Sequence, residues 1–170
     1  MQNRFVLITL LVTALLAGCA IQQPQSAKEF RKVAPGATFG KHDSFTVNRR
    51  FDDIARTFEK QAYKCLDQRI RMTESGHRYH HVVVTKYTPT VLVSENTAEL
   101  HLQYVHEQGV LAVSEIPEKG YYLMVADATR MDEKNTQIDM YRPTIGHDAV
   151  VRAVKGWATG ENVGCPDMTK

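Results

Sequence analysis

Seven histidines and three cysteines are the residues of this 170-residue chain with the widest chemical reach. His80, His81, His101 and His106 fall in runs that read as strands, a common setting for metal ligands. Successive strand side chains alternate between faces, so His80 opposes His81, and His101 opposes His106 five residues on. A pair such as His81 with His101 would then need a third ligand that no local motif supplies. The expectation is solvent-facing strand histidines and no metal. Hydrolysis finds little more support. No G-x-S-x-G elbow occurs, and His42-Asp43-Ser44 are sequence neighbours rather than a preorganised triad. Phosphate-cradling glycine loops are absent as well. Asp52-Asp53 and Asp132-Glu133 stand at a helix start and a turn, where solvated acids belong. Cys65 and Cys165 do not form a C-x-x-C redox motif. The chain therefore reads as non-enzymatic, with no catalytic residue and no cofactor.

The remaining cysteine has a different setting. An apolar run from Phe5 to Ala17 follows a leader with one charge, Arg4, and ends in small residues, the three-part layout of a secretory signal peptide. The run is too short to span a bilayer comfortably. Leu16-Ala17-Gly18-Cys19 resembles the lipobox of bacterial lipoprotein precursors. That resemblance implies a diacylglycerated Cys19 thiol, cleavage between Gly18 and Cys19, and an acylated new amino terminus, with residues 1–18 as the signal peptide. Each buried CH₂ of an acyl chain contributes about 0.8 kcal/mol, so two or three chains anchor far more firmly than one. An uncleaved anchor or an ordinary secretory signal are the alternatives, and neither asks for Cys at this position. Because Ala20 rather than Asp follows, the resemblance also implies sorting to the outer membrane, with the domain facing the periplasm. Lipidation of Cys19 would leave Cys65 and Cys165 as a pair in an oxidising compartment, where one disulfide is expected; two free thiols are the alternative.

Positioning these residues falls to what remains after residue 18, a length that suffices for one domain with a core. Removing Arg4 leaves 20 Lys and Arg against 19 Asp and Glu, a net of +1. Such a balance, without a concentrated basic face, argues against nucleic acid as a partner. Residues 19–43 read as the lipidated Cys and a tether, since Gln22-Gln23-Pro24-Gln25-Ser26 and Val33-Ala34-Pro35-Gly36 lack sustained periodicity. A flexible tether of that length would reach roughly 25–30 Å. The domain, residues 44–170, opens on a short strand at Phe45-Thr46-Val47. A helix over 49–68 follows, capped by Asn48, with Phe51, Ile54, Ala55, Phe58, Ala62, Cys65 and Leu66 on one face. Strands are expected over 78–87, 98–106, 110–116, 121–128 and 136–142, with Pro89 stopping or bending the first. Their short polar joints permit only antiparallel neighbours. A last helix over 145–158 takes Thr144 as its cap and Gly160 as its stop, and shows a stripe of Val150, Ala153, Val154 and Trp157.

Helix, meander and helix in that order predict an α+β domain, a β-meander of about five strands with two helices packed on one face. The order resembles the helix-grip and TBP-like modules of envelope lipoproteins, including accessory lipoproteins of the outer-membrane β-barrel assembly machine. The expected function is that of an envelope lipoprotein binding a protein or cell-envelope component close to the membrane surface. An edge strand at Val110 to Ile116 or Thr136 to Arg142 would accept a partner strand. The alternative is a small-ligand or lipid-binding module whose pocket, between sheet and helices, Tyr121, Tyr122 and Trp157 would line.

Overall fold

A computed structural model describes residues 23–76, 79–107 and 117–169, except the side chains of 74–81. Its core is built on α2 (Phe51–Cys65) and α3 (Asp148–Thr159), whose apolar residues recur every three or four positions. Phe51, Ile54, Phe58, Val150, Val154 and Trp157 are each at most 2% exposed, as their spacing predicts. Under these helices lie six strands: β1 (Gly40–Val47), β2 (Gln68–Gly76), β3 (Tyr79–Val93), β4 (Thr97–His106), β5 (Tyr121–Arg130) and β6 (Thr136–Pro143). They form one sheet in the order β1-β6-β5-β4-β3-β2, antiparallel at every pair. The α+β class and the packing of both long helices on one face agree with the sequence reading. Leu100, Leu102, Met124, Ala126, Ile138 and Met140 supply the sheet's side of that core.

The caps differ from expectation. α2 starts after Arg50 rather than Asn48, and no side chain caps it. Arg49 is drawn instead to the far end of α3, where its guanidinium donates to the Trp157 and Ala158 carbonyls and to Thr57 Oγ1 at 2.8 Å. It thereby satisfies two carbonyls left open at a helix terminus. α3 takes His147, not Thr144, as its N-cap. Gly160 does end it, at φ 86°, donating its N–H to the Gly156 carbonyl.

Strand limits differ for physical reasons. α2 stops at Cys65, and residues 68–76 turn back as β2, where Ile70 packs against the core. β3 runs through Pro89 to Val93 because the ring nitrogen faces away from β4. The Glu107 N–H donates to the Val84 carbonyl at 2.8 Å, which sets the phase of the β3–β4 ladder. By alternation, residues 87, 89 and 91 then turn their backbone outward. β2 ends opposite Tyr87, so Pro89 has no partner there to disappoint, and the Val91 N–H meets Tyr63 Oη at 3.4 Å. The strand expected over 110–116 lies outside the described residues.

The largest correction concerns the stretch read as a tether. It contains α1 (Ala27–Val33), a single 3₁₀ turn over Ala34–Gly36, and the first half of β1, whose second half holds the strand expected at Phe45-Thr46-Val47. Ser26 Oγ accepts from the Glu29 N–H at 3.2 Å, and Glu29 Oε2 accepts from the Gln25 N–H at 2.8 Å. The first bond is the N-cap half of a capping box, whose sequence signal is Ser26-Ala27-Lys28-Glu29, while the Glu29 carboxylate reaches one residue further back than the box requires. Gly40 is needed where the 3₁₀ turn crosses β1, since a Cβ there would lie 1.9 Å from the Ala34 carbonyl oxygen. Whereas α2 and α3 cover the apolar face, α1 lies across the opposite, polar face.

Candidate binding groove at the β1 edge

Among the described residues β1 takes an edge of the sheet, pairing with β6 alone. Thr136 to Arg142, expected at an edge, therefore lies inside, between β1 and β5. The Thr144 N–H donates to the Phe39 carbonyl at 2.7 Å, which fixes the phase of the β1–β6 ladder. By alternation, Gly40, His42, Ser44 and Thr46 present their N–H and C=O groups outward. Gly40 is consistent with this, since its N–H donates to the Ala37 carbonyl at 3.0 Å. The outward groups of His42, Ser44 and Thr46 meet no strand among the described residues.

Beside that edge, β1 and α3 enclose an open groove of about 640 Å³. Phe45, Met140 and Val151 give it an apolar floor. Arg142 Nε donates to Asp43 Oδ2 at 2.7 Å, and Lys41 Nζ lies 3.1 Å from Asp43 Oδ1. Burial alone would raise the Asp43 carboxyl, but these two cations outweigh it and hold the carboxyl below its ordinary range. Arg152 and Lys155 stand one turn apart on the exposed side of α3, with no ion pair among the described residues. The Lys155 ammonium sits 5.2 Å over the Phe45 ring. Asp148 completes the rim at the start of the helix. The groove thus offers hydrogen-bonding backbone, an apolar floor and two cations that have no ion pair among the described residues.

A second cleft, of about 460 Å³, lies on the polar face beside the first turn of α1. Arg31 donates through Nε and Nη2 to both Asp127 oxygens, each at 2.6 Å, and also to Glu99. His101 Nε2 lies 2.9 Å from the same Glu99 oxygen. The Asp127 hydrogen bonds raise the Arg31 pKa, so its charge is permanent. Burial raises Glu99, yet the bonds from Arg31 and His101 bring its carboxyl below the ordinary value. Phe30 stacks on Tyr122 at 5.8 Å, fixing the helix from its other side. A histidine and a carboxylate do meet here, but the carboxylate is tied to Arg31, the cation that docks α1, and the histidine to that same carboxylate oxygen.

The other sequence-flagged residues scatter. His106 lies opposite to His101, on the helix-covered face, 2.9 Å from Thr85 Oγ1; the side chains of His80 and His81 lie outside the described residues. Among the described residues no three His, Cys, Asp or Glu side chains gather to hold a metal ion. His42 pairs with Asp139 at 2.9 Å, Asp43 turns to Arg142, and Ser44 accepts from Gln137 Nε2 at 2.8 Å, so the three diverge. Asp52 binds Arg130 at 2.6 Å, and Asp132 accepts the Lys134 and Asn135 N–H groups of its own turn, both at 2.8 Å. Trp157 is part of the filled core, and Tyr122 faces the other side of the sheet, so the two cannot line one pocket between sheet and helices. Cys65 and Cys165 are joined in a disulfide with their Cα atoms 5.0 Å apart. Gly18 and Cys19 lie outside the described residues. No described helix is long and apolar enough to cross a membrane.

α1 and the first half of β1 lie in the stretch that lacks apolar periodicity, where Ser26-Ala27-Lys28-Glu29 was the one local signal; the groove joins that stretch to β6 and α3. No protein-family model matches the chain, and no curated protein matches it.

Proposed function

We propose that this protein is an exported, lipid-anchored, non-enzymatic module that binds another envelope protein through the free edge of β1. The observation that carries the reading is the row of outward backbone groups at His42, Ser44 and Thr46 beside the α3 groove. Such an edge is a template for strand addition, in which main-chain bonds give affinity and side-chain pockets give specificity. The space between sheet and long helices supports a protein partner over an enclosed small ligand, because Trp157, Phe51 and Phe58 fill it. Binding is favoured over catalysis by the ties on each His and carboxylate that come together. The Cys65–Cys165 disulfide accords with an oxidising compartment, the periplasm.

Anchoring at Cys19 would hold the domain close to the outer membrane. Ser26 caps α1 only seven residues beyond Cys19, and at 3.3–3.6 Å per residue the chain between them reaches at most about 25 Å. The groove then works within one domain diameter of the lipid.

The test has two parts. With the native leader in a Gram-negative host, metabolic labelling with a palmitate analogue should mark wild-type protein and not Cys19→Ser, and the wild type should fractionate with outer membrane. A photo-crosslinking residue at Ser44 should give discrete adducts with an envelope protein, whereas one at Glu133, in the β5–β6 turn, should not. Unlabelled wild type would remove the anchor, and an absence of Ser44 adducts would remove the edge.

A further inference from the structure

We infer that the segment received by β1 is acidic, with two carboxylates two residues apart on the side that faces α3. This rests on the edge-binding reading and adds the chemistry of the partner. A strand added beside β1 lies about 4.8 Å away and sends every second side chain toward the helix-covered face. On that face the Lys155 ammonium lies over the Phe45 ring with Arg152 one turn before it, so the ring edge can take the stem of a glutamate whose carboxylate meets the cations.

The spacings agree. Residues three apart on a helix are separated by about 4.5 Å along its axis. Carboxylates at i and i+2 of a strand are separated by about 6.6–6.8 Å. The long stems of Arg152 and Lys155 bridge that difference, and neither cation has to leave an existing ion pair to do so. Lys41 and Arg142, by contrast, already share Asp43, and the three together leave one positive charge. Asp148, one turn before Arg152, repels a third carboxylate and so limits the acidic pattern to one end of the groove. An anionic lipid surface would satisfy the same cations but would leave the outward N–H and C=O groups of His42, Ser44 and Thr46 unused. Edge and charge coincide here, and only an extended acidic chain uses both.

The experiment uses full-length protein purified in detergent and a fluorescent nine-residue peptide that alternates Glu with Val and Thr. Fluorescence anisotropy should show this peptide binding at least tenfold more tightly than its Lys-for-Glu twin. The double variant Arg152→Glu with Lys155→Glu should reverse that preference, with an unchanged melting curve. N-methylation of alternate peptide bonds removes the strand's own donors without touching the protein, and should weaken binding tenfold or more. Ser44→Pro removes one outward donor from the protein side and should act in the same direction. Equal affinity for the two peptides would overturn the inference. So would binding indifferent to N-methylation, or charge-dependent binding of wild type to phosphatidylglycerol vesicles with no binding of the Glu peptide. Ser44 crosslinks that survive the double charge reversal would keep the edge reading and overturn the acidic partner alone.

Discussion

His147 stands at φ 56°, the one described non-glycine residue at positive φ, and its Nδ1 is buried without a hydrogen-bond partner. Left-handed backbone is unfavourable for a side chain with a Cβ, and Asn tolerates it better than most. Burial beside the edge of the Tyr87 ring pushes the imidazole pKa below its ordinary 6.5, with Asp148 pulling back less strongly. For a histidine depressed in this way, the folded state disfavours the proton. Its contribution is therefore complete above about pH 6.5 and is lost as the pH falls toward the folded value. His147→Asn should keep the backbone turn and delete the titration. Urea unfolding at about pH 7 and about pH 5 should show a smaller loss for the variant than for wild type; equal losses would place the acid sensitivity elsewhere.

At the scale of elements, α1 carries the clearest consequence. A seven-residue helix is too short to persist alone, so docking must hold it. Arg31 is the clasp, with a side chain 22% exposed and three short bonds to Asp127 and Glu99. Arg31→Met preserves the stem and removes the charge, leaving two partly buried carboxylates to face each other. A loss of about 1–3 kcal/mol is expected from stranding such groups. Hydrogen exchange should rise sharply over residues 27–33 and little over α2 or β4. Uniform destabilisation, with α1 no more exposed than the core, would show that the sheet rather than the clasp holds this helix.

Across the whole molecule, the disulfide joins the end of α2 to the segment beyond α3 across 100 residues. In the chain-entropy model, closing a loop of that length is worth at most about 4.7 kcal/mol, and measured values are often smaller. Cys165→Ser should lower the denaturation midpoint accordingly. The tail should nevertheless stay in place. Met168 is buried in the core and Val163 packs against Gly156, whose missing Cβ leaves room for it. Hydrogen exchange over 160–169 in the reduced or substituted protein should therefore stay well below that of an unstructured tail.

Periodicity by itself determined the long elements. The apolar stripes of α2 and α3 and the short joints of the meander required two helices on one face of an antiparallel sheet, because no other arrangement buries those faces together. The thiol count, once Cys19 is assigned to lipid, also pointed to the pair that is bonded. Only tertiary structure decided the rest. β2 and the first half of β1 carry too few apolar residues to announce themselves, and become strands because partners on β3 and β6 take up their backbone groups. Pro89 reads as a stop until the end of β2 shows that its nitrogen faces no donor-requiring neighbour. Arg31 looks like one surface cation among many until β4 and β5 bring Glu99 and Asp127 beside it, although these residues lie 68 and 96 positions away. The groove has the same origin, since its floor comes from β1, β6 and α3, and nothing local in any of them specifies that they meet.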